Sequence, residues 1–303
     1  MLFLFALLLF LFGLEATKRS IKLLASENIE KLLSRLSANL FLAIITGTII
    51  TAILQSSSAV SIILISLLDA KLLTLKSAVG ILLGANIGTT VTVQIISLPI
   101  LNYYYIFIII GIIIYFSGLI FNKKFRHAGS ALLFLGLVFA ALIMMTNYFK
   151  SPGIKLLSDS LLKYSNANIY TAIILGTVIT GIMQSSSAVA GLTVSFAINN
   201  LISLKTAVAI GIGSNIGTCI TAFIASLIAS KTAKSLALTH FLFNLIGVLF
   251  IIPFFSIFIS FITYISNDLL RQIANSHTLF NIINLLIFIP FANKFILFLE
   301  EKV

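Results

Sequence analysis

The 303-residue sequence is 60% hydrophobic and only 9% charged, with a net charge of +11 from 19 Lys and Arg against 8 Asp and Glu. A soluble domain is about half apolar and about 25% charged, so this composition excludes a water-facing globular fold and makes a lipid bilayer the main solvent. The single cysteine, Cys219, excludes an intramolecular disulfide, and three histidines without clustered carboxylates leave little from which to build a metal-hydrolase site.

A spanning helix needs about 20 mainly apolar residues. The first candidate is Leu2 to Leu14, extending toward Thr17; Lys18 and Arg19 follow it rather than precede it, so it reads as a retained helix and not a cleaved signal. The basic segment Lys18 to Arg35 is expected at the cytoplasmic face. An apolar stretch follows that is interrupted midway, with FLAIITGTII before and AVSIILISLL after the string Gln55, Ser56, Ser57, Ser58. Neither flank is long enough to span, and irregular backbone is tolerated at membrane depth only within protein or beside a wet cavity. The string therefore reads as the tip of a re-entrant helical hairpin. GANIGTT begins at Gly84, and further spans are expected over Ile106 to Phe121 and Ala131 to Met145. A second string, Gln184, Ser185, Ser186, Ser187, then GSNIGTC from Gly213 and spans over Leu236 to Pro253 and Leu279 to Leu299 complete the series.

The two QSSS strings lie 129 residues apart, and so do GANIGTT and GSNIGTC. Two unrelated strings sharing one offset identify an internal duplication. Basic residues give its orientation, because Lys and Arg in short loops stay cytoplasmic. In the first copy the loop at Leu101 is uncharged and the next carries Lys123, Lys124 and Arg126; in the second copy the first loop carries Lys231 and Lys234 and the next is neutral. The expected fold is an all-α membrane protein of two inverted-topology repeats, 1–127 and 128–256, each with a QSSS hairpin and a broken helix, plus an extension at 257–303. Lys150, Lys155 and Lys163 run against this topology. Membrane orientation also accounts for the positive charge, so no nucleic-acid partner is expected.

A half-helix that starts at the serines offers unpaired N–H groups carrying partial positive charge, which is where anions bind. Two such ends entering from opposite faces meet near the midplane, as in secondary transporters. Hydroxyls and glutamine amides both donate and accept, so the two QSSS strings suit an oxyanion and a hard cation together. Asn86, Thr89, Thr90, Asn215 and Thr218 add oxygens, and the glycines between them permit backbone to unwind and expose carbonyls. Close helix packing is the competing reading of these glycines. None of the four strings holds a Lys, Arg or carboxylate, so an anion entering alone is costly to desolvate and sodium ions are the expected companions. HFLFN at His240 and HTLFN at His277 lie 37 residues apart, off the main offset, and read as interhelical hydrogen bonding. A serine hydrolase using Ser186 with His240 or His277 is the reading from a different class, and a phosphate-binding signalling partner is a third.

The doubled QSSS, the doubled G-x-N-I-G-T and the H-x-L-F-N segments resemble the type II sodium-phosphate cotransporter family, from LFLFGLEA at Leu9 to FIPF at Phe288. The resemblance implies a non-enzymatic symporter in the inner (cytoplasmic) membrane that takes up inorganic phosphate with sodium as coupling ion, without other cofactor, through Gln55 to Ser58 and Gln184 to Ser187. Sulfate or a dicarboxylate is the alternative cargo. Many bacterial relatives of that family carry a C-terminal PhoU-like regulatory domain; with the chain ending at Val303, that domain is expected to be absent here or removed, and a separate PhoU-like regulator is a candidate partner. A homodimer is compatible with the sequence.

Overall fold

The computed structural model describes residues 2–25, 39–98, 100–149 and 168–300. They form twelve α-helices: α1 (Leu2–Ala25), α2 (Leu40–Leu54), α3 (Ser57–Asp69), α4 (Leu75–Ile96), α5 (Tyr104–Ile120), α6 (Lys123–Phe149), α7 (Ile169–Met183), α8 (Ser186–Ile198), α9 (Leu204–Ser226), α10 (Lys231–Ile251), α11 (Phe255–Ile265) and α12 (Leu269–Glu300). Six of them, α4, α5, α6, α9, α10 and α12, are long and apolar enough to cross a membrane. The chain is a multi-pass membrane protein. Its outer surface is apolar, as lipid requires, with Ile109, Ile113 and Phe116 of α5 and Leu249 of α10 exposed.

The arms α2, α3, α7 and α8 contain 15, 13, 15 and 13 residues. At about 1.5 Å per residue none exceeds about 23 Å, short of a hydrocarbon core of about 30 Å. Three expectations need correction. The first helix runs to Ala25, well past Thr17, and carries Glu15, Lys18 and Arg19 within it. The G-x-N-I-G-T segments are not broken: α4 and α9 are continuous over 22 and 23 residues. The basic residues assigned to loops also lie inside helices, Lys123, Lys124 and Arg126 at the start of α6, Lys231 and Lys234 at the start of α10. A helix N-terminus disfavours cations, so local helix stability does not account for them. Lys150, Lys155 and Lys163, and Arg35, lie outside the described residues.

The glycines close α2 against α4. A Cβ on Gly84 would sit 1.9 Å from the Ile44 carbonyl oxygen, and one on Gly213 2.0 Å from that of Ile173, where α7 meets α9. Thr48 donates to the Gly84 carbonyl at 3.1 Å and Thr177 to that of Gly213 at 3.0 Å. In a bilayer, where apolar contact alone drives helices together weakly, such small-residue seams and interhelical hydrogen bonds hold a bundle. The two hairpins pack crosswise, α3 on α9 and α8 on α4. Around them α10 contacts α3, α4 and α9, while α12 contacts α8, α9 and α4. These last two helices thus occupy equivalent places about the duplicated centre although 37 residues separate their His-Asn pairs.

Candidate functional site

Each hairpin tip is built the same way. Asn39 caps α2 by accepting from the Leu42 N–H at 2.7 Å, and Asn168 caps α7 by accepting from the Tyr170 N–H at 2.9 Å. Gln55 ends α2 in the left-handed conformation at φ 52, ψ 29; Gln184 ends α7 at φ 51, ψ 28. Glycine is the usual residue there, because a Cβ makes this conformation cost about 1–2 kcal/mol. Ser56 and Ser185 then extend the chain, and their Oγ atoms accept from the Ala59 and Ala188 N–H groups at 3.2 and 3.3 Å. The next helix starts at once. Because the first amides of a helix have no acceptor within it, the N–H groups of Ser57, Ser58, Ser186 and Ser187 are left for another partner.

All eight residues of the two strings line one cavity, together with Thr89 and Lys18. Its free volume is about 10 Å³, space for a single water. The strings touch across it where the Ser58 hydroxyl meets the Gln184 carbonyl at 3.5 Å; Ser58 also bonds the Thr221 hydroxyl of α9 at 3.3 Å, and within the second string Ser185 and Ser187 share a hydrogen bond of 3.2 Å. Gln55 is buried and Gln184 exposed, so the pocket is more open on the side of the second copy. One turn before each glutamine, Thr51 and Thr180 are fully buried, and their hydroxyls have no partner among the described residues.

Of the second set of candidates only Thr89 reaches this cavity. Asn86, Thr90, Asn215 and Thr218 do not. Thr90 and Thr218 bond back to the Ile87 and Ser214 carbonyls at 2.8 and 2.9 Å, and Asn215 to that of Gly211 at 3.0 Å. Asn86 Oδ1 lies 3.3 Å from His240 Nε2. Asn215, the equivalent of Asn86, lines a second small cavity with Ser276 and His277. The two His-Asn pairs therefore follow the duplication in space though not in sequence offset. Neither histidine lines the cavity that holds Ser186.

Sequence reasoning missed Lys18, which it placed in a cytoplasmic segment. Its ammonium donates to Ser185 Oγ at 3.4 Å. The positioning comes from α1, where Phe10, Leu14 and Thr17 are buried at 0%, 5% and 3% exposure and fall at i, i+4 and i+7 on one helix face. Lys18 is the next position of that stripe. The Phe10 ring fills the space over Gly191 of α8, where a Cβ would come within 2.1 Å of it, which ties α1 to the second hairpin. The i, i+4, i+7, i+8 spacing was the available signal.

Comparison with known proteins fits this architecture. The model of the Na+/Pi-cotransporter family matches residues 9–147 and 154–287, each match containing one QSSS string. The chain belongs to the Na+/Pi-cotransporter family. The "Uncharacterized protein YqeW" of Bacillus subtilis is 31% identical over 86% of this chain and 84% of its own length. The "Putative inorganic phosphate export protein YjbB" of Escherichia coli K12 is 28% identical over 82% of this chain, a match that spans 46% of the relative. Human "Sodium-dependent phosphate transport protein 2B" is 38% identical over 22% of the chain and 9% of its own. No solved structure matches.

Proposed function

We propose that this protein moves inorganic phosphate across a cell membrane together with sodium ions, with Gln55 to Ser58 and Gln184 to Ser187 as one shared binding site. The observation that carries the reading is that two polar strings 129 residues apart in the sequence line a single cavity inside an apolar bundle. Two helix starts converge there, and their free amides and hydroxyls are the donors a tetrahedral oxyanion takes. The orphan hydroxyls of Thr51 and Thr180, one helical turn before Gln55 and Gln184, suit a hard cation. Family membership and the printed names of the phosphate-handling relatives favour phosphate over sulfate or a dicarboxylate as cargo.

The mechanism we infer is alternating access. Phosphate is larger than the present cavity, so the two hairpins must part to admit it, and closing over the loaded site opens it to the other face. The hairpins re-enter from opposite faces, and the copies 1–127 and 128–256 lie inverted in the membrane with 257–303 as an extension; the basic starts of α6 and α10 then share the cytoplasmic face. A regulator related to PhoU and a second copy of the chain are the partners we assign.

Uptake is the direction an inward sodium gradient drives. Export is the second reading, favoured by the printed name of the Escherichia coli relative. The test is accumulation of radiolabelled phosphate in proteoliposomes under imposed sodium, potassium or proton gradients, with sulfate and dicarboxylates as competitors. Sodium-driven accumulation that is lost in Gln55→Ala and Gln184→Ala supports the reading. Accumulation indifferent to sodium sinks the coupling ion, and competition by sulfate at equal concentration sinks the choice of cargo. Phosphate loss from loaded vesicles against an inward sodium gradient establishes export.

A further inference from the structure

We propose that Lys18 supplies a fixed positive charge to the anion in the paired QSSS pocket, so that the transported phosphate is held partly by the protein's own cation and not by co-bound sodium alone; this rests on the phosphate reading above. The ammonium lies in the cavity wall, 3.4 Å from Ser185 Oγ, among eight neutral residues of the two strings. Glu15, three residues earlier on α1, is exposed, and its carboxylate acts on the ammonium electrostatically. A part-buried ammonium is costly in a membrane bundle even with an exposed carboxylate nearby, and one set in the wall of a polar pocket marks a functional position that an anion would complete. Both helix starts add partial positive charge of the same sign.

The charge breaks the duplication. Around Gly136, the segment of α6 that corresponds to the one around Gly13, the chain continues into Ala141 and Leu142, both buried and apolar. The pocket therefore has two equivalent sets of hydroxyls and amides but one ammonium among the described residues, placed on the side of Ser185. A charge that stays with the protein neutralises part of the phosphate on every cycle without being transported, and so reduces what sodium must supply.

The test is equilibrium binding of radiolabelled phosphate to the purified full chain across sodium concentrations, for wild type, Lys18→Gln, Lys18→Met and Lys18→Arg. Both neutral variants take a charge out of the bundle and so suit its apolar surroundings; the pair guards against one of them failing to fold. Loss of a charge-assisted hydrogen bond predicts phosphate affinity about tenfold to a hundredfold weaker at fixed sodium and a higher sodium requirement in the neutral variants, with Lys18→Arg close to wild type. Wild-type affinity in the neutral variants, or equal losses in all three, overturns the proposal in favour of a packing role. Wild-type protein that binds no phosphate at all overturns the functional reading, and this inference with it.

Discussion

A glutamine held in the left-handed region is an uncommon choice, and this chain makes it twice, at Gln55 and Gln184, with backbone angles that agree within 1°. Strain of this kind persists where the side chain is needed for something a glycine cannot do. Gln184→Gly should therefore leave stability unchanged or raise it by about 1 kcal/mol, measured by thermal unfolding in detergent, while phosphate uptake is lost. Uptake that survives the glycine would show that the turn alone matters. Three consecutive hydroxyls inside an apolar stretch, repeated behind a second glutamine, set the serines apart in the sequence, and the structure brings both strings to one cavity. Lys18 was overlooked, because a lysine just beyond an apolar run ordinarily marks the cytoplasmic end of a span; its spacing from Phe10, Leu14 and Thr17 was the one hint, and their burial shows that the helix continues inward.

At the level of helices, the G-x-N-I-G-T segments show how one residue type serves two opposite purposes. Glycine permits a helix to unwind and equally permits two helices to touch, and the neighbour decides which. Here the neighbours are the Ile44 and Ile173 carbonyls, so the helices stay whole. Gly84→Ala and Gly213→Ala should cost about 3 kcal/mol or more, as backbone must move to admit the methyl group. Gly211→Ala, where a Cβ meets nothing within 4 Å, should be neutral or stabilising by up to about 1 kcal/mol, the ordinary propensity gain inside a helix. Thermal midpoints of the three variants check this. Equal effects at Gly84 and Gly211 would contradict the packing role. Asn86, Thr90, Asn215 and Thr218 lie away from the QSSS cavity, bonded to carbonyls of the preceding turn or, for Asn86, to His240; Thr89 makes the same kind of bond, to Ala85, and still lines it.

For the whole molecule, the duplication and the all-helical membrane fold were readable from the shared offset and the apolar composition. The equivalent placement of α10 and α12 was not, since a spacing of 37 residues carries no trace of a relation that exists only in packing against the two hairpins. The inverted arrangement we propose makes a concrete prediction: cysteines at Lys123 and Lys231, introduced singly, should react with a membrane-impermeant reagent from the same face. Labelling from opposite faces would break the topology. The central claim is that the two QSSS strings make one site, and the stoichiometry of phosphate binding to the purified chain tests it most directly. One phosphate per chain, abolished by either Gln55→Ala or Gln184→Ala, is the predicted result; two phosphates per chain, with each single variant retaining one, would mean that the copies bind independently and that the shared pocket is not where the cargo sits.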